Sequence, residues 1–140
     1  MNVVLDTNVL IADFIARGLC HTLVEQCLGV HTVITSEFIL RELREKLTGK
    51  FKYSDADASA IQSLLLSKMR VVNPISLANN VCRDPDDDKV LGTALMGKAV
   101  CIITGDQDLL ILKKFGDIDI LAPSEFEAYE VKSMTDPPRV

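Results

Sequence analysis

The chain has 140 residues, 48% of them hydrophobic and 25% charged, which is the make-up of one compact globular domain and excludes collagenous, mucin-like and disordered chains. A domain of this length buries about 68 to 70% of its unfolded surface, so its core needs neither disulfides nor a structural metal. Fifteen basic and twenty acidic residues give a net charge of −5, which argues against a protein that coats nucleic acid through a basic face but leaves room for an enzyme whose carboxylates hold metal ions.

No stretch approaches the roughly 18 consecutive apolar residues of a membrane span, and the opening MNVVLDTNVL lacks a basic region and carries Asp6 within its apolar run. Neither export nor membrane insertion is expected, and the location expected is cytoplasmic. Cys20, Cys27, Cys82 and Cys101 form no C-x-x-C pair and sit mostly among apolar neighbours, the pattern of buried free thiols in a reducing compartment.

In chain order, the β-branched run at Val3, Val4 and Leu5 stops at Asp6, after which Val9, Leu10, Ile11 and Phe14 recur at helical spacing. A short helix is predicted over residues 21–28 and a second strand at Val33, Ile34 and Thr35, ending at Ser36. Residues 36–47 carry Ile39, Leu40, Leu43 and Leu47 on one stripe, the pattern of an amphipathic helix. Ser54 and Asp55 open a further helix to about Lys68 with Ile61, Leu64 and Leu65 inward. Val71 and Val72 suggest a short strand closed by Pro74.

Asp84-Pro85 reads as a helix start, because a residue before proline is held extended, as an N-cap must be, and proline suits the first helical position. That helix is expected to run to about Gly97, burying Leu91, Ala94 and Leu95. Residues 100–103 are continuously apolar, the mark of a strand covered on both faces. A last strand at Ile118, Ile120 and Leu121 precedes a helix capped by Ser124 and running to Tyr129, and residues 132–140 read as a flexible tail. Strands alternating with helices predict a three-layer α/β/α sandwich with a mainly parallel central sheet.

In such sheets ligands bind beyond the carboxyl ends of the strands. Asp6 and Asp106 each follow a predicted strand, so their carboxylates should meet at one edge. Each acid also has a plainer reading: Asp6 as a helix cap, Glu42 as half of an exposed i,i+4 pair with Lys46, the run Asp84, Asp86, Asp87, Asp88 as acids in a helical first turn, and Asp106 and Asp108 as turn residues. Their joint placement favours a site. Two charges about 4 Å apart repel by about 4 kcal/mol at an effective dielectric of 20, so several such pairs must protonate or bind cations. Oxygen ligands without histidine select Mg²⁺ or Mn²⁺ over zinc, and phosphodiester hydrolysis is the matching chemistry. His21 and His31 lack ligand spacing and read as structural or surface residues.

The segments VVLDTNVLI, SEFILRELREKL, RDPDDDKVLGTAL and CIITGDQDLL, in this order, resemble PIN-domain ribonucleases of the type found as VapC-like toxins in toxin-antitoxin pairs. The resemblance covers residues 2–126 and implies a PIN-like nuclease domain over residues 1–131. It further implies that Asp6, Glu42, Asp88 and Asp106 form an acidic quartet that binds Mg²⁺ or Mn²⁺ and serves RNA cleavage, supported by Thr7, Asn8 and Thr104. Asp84 and Asp87 compete with Asp88 for the third place, and Asp108 with Asp106 for the fourth. The partners implied are a single-stranded or structured RNA substrate, a cognate antitoxin protein and a second copy of the chain in a homodimer. Lys50, Lys52, Lys89, Lys98, Lys113 and Lys114 are candidates for phosphate contacts. The alternative function is a non-catalytic PIN-like module that binds RNA or protein.

Overall fold

The computed structural model describes residues 1–16 and 19–135, without the side chains of residues 14–16, 19, 20 and 135. The elements run β1 (Asn2–Leu5), α1 (Thr7–Ala16), α2 (Leu19–Val30), β2 (Thr32–Thr35), α3 (Glu37–Gly49), α4 (Asp55–Leu66), β3 (Met69–Val71), α5 (Pro85–Met96), β4 (Cys101–Ile103), α6 (Gln107–Leu110), β5 (Lys114–Phe115), β6 (Ile118–Leu121) and α7 (Pro123–Thr135). Six strands make one sheet in the order β3-β2-β1-β4-β6-β5, parallel throughout except for the antiparallel β5–β6 pair. Helices flank it, as the alternating pattern predicts. From β1 the chain winds outward through β2 and β3, then returns to the other side of β1 with β4, so the order of strands reverses between β1 and β4. Such a reversal leaves a crevice at the carboxyl ends of the two strands.

The core is what the apolar runs demand. Val3, Val4 and Leu5 of β1 and Cys101, Ile102 and Ile103 of β4 are all buried, because both faces of these central strands are covered. α3 contributes Ile39, Leu40, Leu43 and Leu47 as its stripe requires. The caps also follow the sequence: Ser36, Ser54 and Asp84 close the first turns of α3, α4 and α5, and Pro85 opens α5.

Several expectations are corrected. Leu64 is exposed, since Ala58 and Leu65 form the buried stripe of α4. The third strand begins earlier, at Met69, and the fourth later, at Cys101. α7 starts at Pro123 instead of being capped by Ser124: Oε1 of Glu125 accepts a hydrogen bond from the backbone N–H of Ala122 at 2.9 Å, a carboxylate reaching back across the first turn. The helix continues to Thr135, so residues 132–135, expected in a tail, extend it. The rest of that tail, together with the side chains of Phe14 and Cys20, lies outside the described residues.

Cys27, Cys82 and Cys101 are buried free thiols, each pushed up to about 12 with burial as the first cause. They are thereby kept from forming the reactive thiolate. His31 is structural, with Nε2 lying 2.5 Å from Oε2 of Glu130 and the ring edge-on to Phe126. Among the described residues no helix is long and apolar enough to cross a membrane.

Candidate active site

Asp6 is the first residue past β1, and its backbone N–H still donates to the Ile103 carbonyl of β4 at 3.0 Å. It thus sits in the crevice where the strand order reverses. Its side chain is 4% exposed and accepts hydrogen bonds from the Thr7 backbone N–H at 2.8 Å, the Thr104 hydroxyl at 2.8 Å and the Asn8 amide at 3.1 Å. A carboxylate so satisfied is bound to one orientation. Burial nevertheless raises its pKa, opposed by the bonds from Thr104 and Thr7 and reinforced by the charge of Asp106.

Asn8 fastens the two strand ends together. Its Oδ1 accepts from the Gly105 N–H at 2.7 Å while its Nδ2 donates to Asp6. The approach is close: a Cβ added at Gly105 would lie 3.2 Å from Asn8 Oδ1, so the backbone comes this near because residue 105 is glycine. Thr104, fully buried, accepts from the Asp106 N–H at 3.0 Å through the same hydroxyl that donates to Asp6. Asp106 then caps α6 through Asp108 N–H at 2.9 Å. The plain reading of Asp106 as a turn residue is met by one carboxylate oxygen, which serves this cap, while the carboxylate also lies in a cluster with Asp87 and Asp108.

The third acid in the crevice is Asp87. It is buried, and its Oδ2 has no hydrogen-bond partner among the described residues. Carboxylate oxygens of Asp87, Asp106 and Asp108 lie within 4.8 Å of one another. Asp87 is raised to about 7 by burial first, then by the facing carboxyl of Asp106, then by the charges of Asp106, Asp6 and Asp84.

Asp88, the sequence-based choice for this place, does not join the cluster. Both its oxygens are taken by backbone N–H groups, Oδ2 by Val81 at 3.1 Å and Oδ1 by Cys82 at 2.8 Å. It pins the chain entering α5, while Asp84 caps that helix. The physical reason is rotational: 87 and 88 stand one turn before Leu91, but only the side chain of 87 falls on the crevice side.

Glu42, from the half-buried flank of α3, borders the cluster. Burial raises its pKa, and the Asp6 charge adds to this, while the Thr7 hydroxyl and Lys46 lower it. Lys46 Nζ stands 4.0 Å from Glu42 Oε1, so the i,i+4 pair expected on an exposed face exists at its outer limit. Oγ1 of Thr7 is buried without a well-formed hydrogen bond. The orphaned buried oxygen of Asp87, beside carboxyls raised by burial and further by one another's charge, completes an all-oxygen donor set that fits a hard divalent cation.

Asn8 and Thr104 bond to the Asp6 side chain as expected, whereas Thr7 does so through its backbone. Arg83 was not foreseen: its Nη2 donates to both oxygens of Asp108, at 3.0 and 3.2 Å. Nothing in local spacing links positions 83 and 108.

A family model described as "PIN domain" matches residues 2–108. The chain is 33% identical over 142 positions to an uncharacterised protein of Methanocaldococcus jannaschii, across 93% of this chain and 90% of the relative. Its fold is similar to that in the crystal structure of VapBC2 from Rickettsia felis bound to a promoter DNA fragment, with TM-score 0.62 and 13% identity, covering 87% of this chain and 98% of the other. It is also similar to VapBC-1 from nontypeable Haemophilus influenzae, with TM-score 0.62 and 18% identity over 89% and 99%. A crevice of acids at the reversal of a parallel sheet and a family match over most of the chain lead to one statement: this chain belongs to the PIN-domain family.

Proposed function

We propose that the protein is a divalent-metal-dependent endoribonuclease, and that the carboxylates at the β1/β4 crevice are its catalytic centre. The observation that carries the reading is the buried carboxylate cluster: oxygens of Asp87, Asp106 and Asp108 lie within 4.8 Å of one another, Asp87 Oδ2 accepts no hydrogen bond from the described residues, and the charge of Asp6 acts on Asp87 as well. Desolvated carboxyls that repel one another cost stability unless a cation or protons compensate. Asp6, Asp87 and Asp106 would hold Mg²⁺ or Mn²⁺, with Glu42 and Asp108 at the border. A bound ion of this kind polarises a phosphodiester and offsets the negative charge that develops during its hydrolysis.

The chain's own residues supply the rest. Thr104, Asn8 and the Thr7 amide lock the Asp6 carboxylate, so it does not reorganise when substrate arrives. Glu42, its pKa raised by burial and further by Asp6, would be the acceptor of a proton from an attacking water. The alternative is a non-catalytic module whose acids hold a structural ion or none, and the intact set of acids at the crevice speaks against it. By likeness to the VapBC complexes, we further propose a toxin role, a small antitoxin partner and a homodimer, within the cytoplasm.

The test is cleavage of a mixed-sequence single-stranded RNA by purified protein with Mn²⁺, with Mg²⁺ and with chelator, beside Asp6→Asn. Activity that needs the metal and disappears in the variant is expected. Equal inertness of both proteins, freed of any co-purified inhibitor, would overturn the catalytic reading.

A further inference from the structure

Arg83 places a cation at the rim of the acid cluster. Its side chain is 85% exposed, yet its guanidinium engages both oxygens of Asp108, a carboxylate within 4.8 Å of those of Asp87 and Asp106. The backbone beneath it is fixed, because Asp88 accepts hydrogen bonds from the two preceding N–H groups, Val81 and Cys82, and Asp84 caps α5 immediately after. A pinned base thus carries a long, solvated side chain. Its planar fork is suited to carboxylate and phosphate alike.

Resting on the nuclease reading above, we propose that Arg83 is a positioning residue used twice: as the counter-cation of Asp108 while no divalent ion is bound, and as a clamp on a phosphate of the RNA once one is. The two states exclude each other by charge. Asp87 and Asp106 would hold a divalent cation within a cluster whose oxygens lie within 4.8 Å of those of Asp108, and that positive charge would offset the attraction holding Arg83 to Asp108. Arg83, which already reaches across to Asp108, would then be free to turn its guanidinium to a phosphate bound beside these carboxylates. The arginine that competes with the metal in the free protein therefore supports substrate in the loaded one.

This predicts opposite signs in two binding measurements on Arg83→Ala. Calorimetric titration of the RNA-free protein with Mn²⁺ should show about two- to fivefold tighter binding, the loss of an exposed pair of up to about 1 kcal/mol. Fluorescence anisotropy with a labelled mixed-sequence single-stranded RNA, in Ca²⁺ to slow hydrolysis, should show binding weakened about tenfold or more, the loss of a charge-assisted phosphate contact. Arg83→Lys should restore only part of the RNA affinity, since an ammonium keeps the charge without the fork. A purely structural ion pair would leave both affinities unchanged or weaken both with a lowered melting temperature, and either result overturns the proposal. If the wild-type protein itself takes up no Mn²⁺, the nuclease reading fails first and Arg83 loses its role with it.

Discussion

Asp87→Asn separates the crevice acid from its neighbour most sharply. In the folded protein Asp87 titrates at about 7, against 3.8 for an ordinary aspartate. The folded state therefore keeps a proton that the unfolded chain has already released, and stability contributed by this group falls as pH rises from about 4 to about 7 and then levels. At 1.36 kcal/mol for each pH unit the interval corresponds to about 4 kcal/mol; the proton is shared with Asp106, so about 2 to 4 kcal/mol is expected in practice. An asparagine of the same shape carries no charge. In chelator, urea unfolding should thus find the variant more stable than wild type by that amount at pH 8 and by only about a third of it at pH 5. Asp88→Asn should behave oppositely, losing about 1 to 2 kcal/mol at both pH values, because an amide offers one acceptor oxygen to two backbone N–H groups. Parallel pH profiles for wild type and Asp87→Asn would refute the assignment of Asp87 to a repulsive, desolvated cluster.

The same linkage predicts that Mn²⁺ binding in weak buffer releases close to one proton at pH 6 and much less at pH 8, since the Asp87 proton must leave for its oxygen to coordinate; equal release at both values would contradict it. Asn8→Asp should keep the acceptor for Gly105 N–H but replace the donor to Asp6 with a second carboxylate, lowering stability at pH 8 by about 2 kcal/mol and recovering toward pH 5, as followed by thermal melts. Gly92→Ala should cost about 2 to 3 kcal/mol in urea unfolding, because its Cβ would lie 2.2 Å from the Ile75 carbonyl oxygen, a backbone atom held by the Ile75 N–H bond to Gly92 O.

Local physics made much of this protein legible. Apolar runs bounded by Asp6, Ser36 and Thr104 specify strands, because burial on both faces leaves no other use for continuous β-branched residues. Ser36, Ser54 and Asp84-Pro85 mark helix starts through groups that act within one turn. The two-residue β5 escaped notice for the same reason, being too short to show a period. That Asp6 and Asp106 meet followed from their shared place after strands, and the architecture required nothing more.

Which acid of the run 84–88 enters the crevice was not local information. Positions 87 and 88 are equivalent by spacing to Leu91, and the difference arises because the Val81 and Cys82 amides claim Asp88, an arrangement set by how the irregular segment before α5 packs. Arg83 and Asp108 lie twenty-five positions apart with no periodic relation, and their meeting depends on the reversal of strand order that sets α5 beside α6's first turn. The sequence by itself determined the elements, the sheet's character and the edge at which acids gather, because these rest on interactions within a turn or along a strand. Tertiary structure alone decided which carboxylates are desolvated together and which cation faces them, because desolvation is a property of the surroundings and not of the residue.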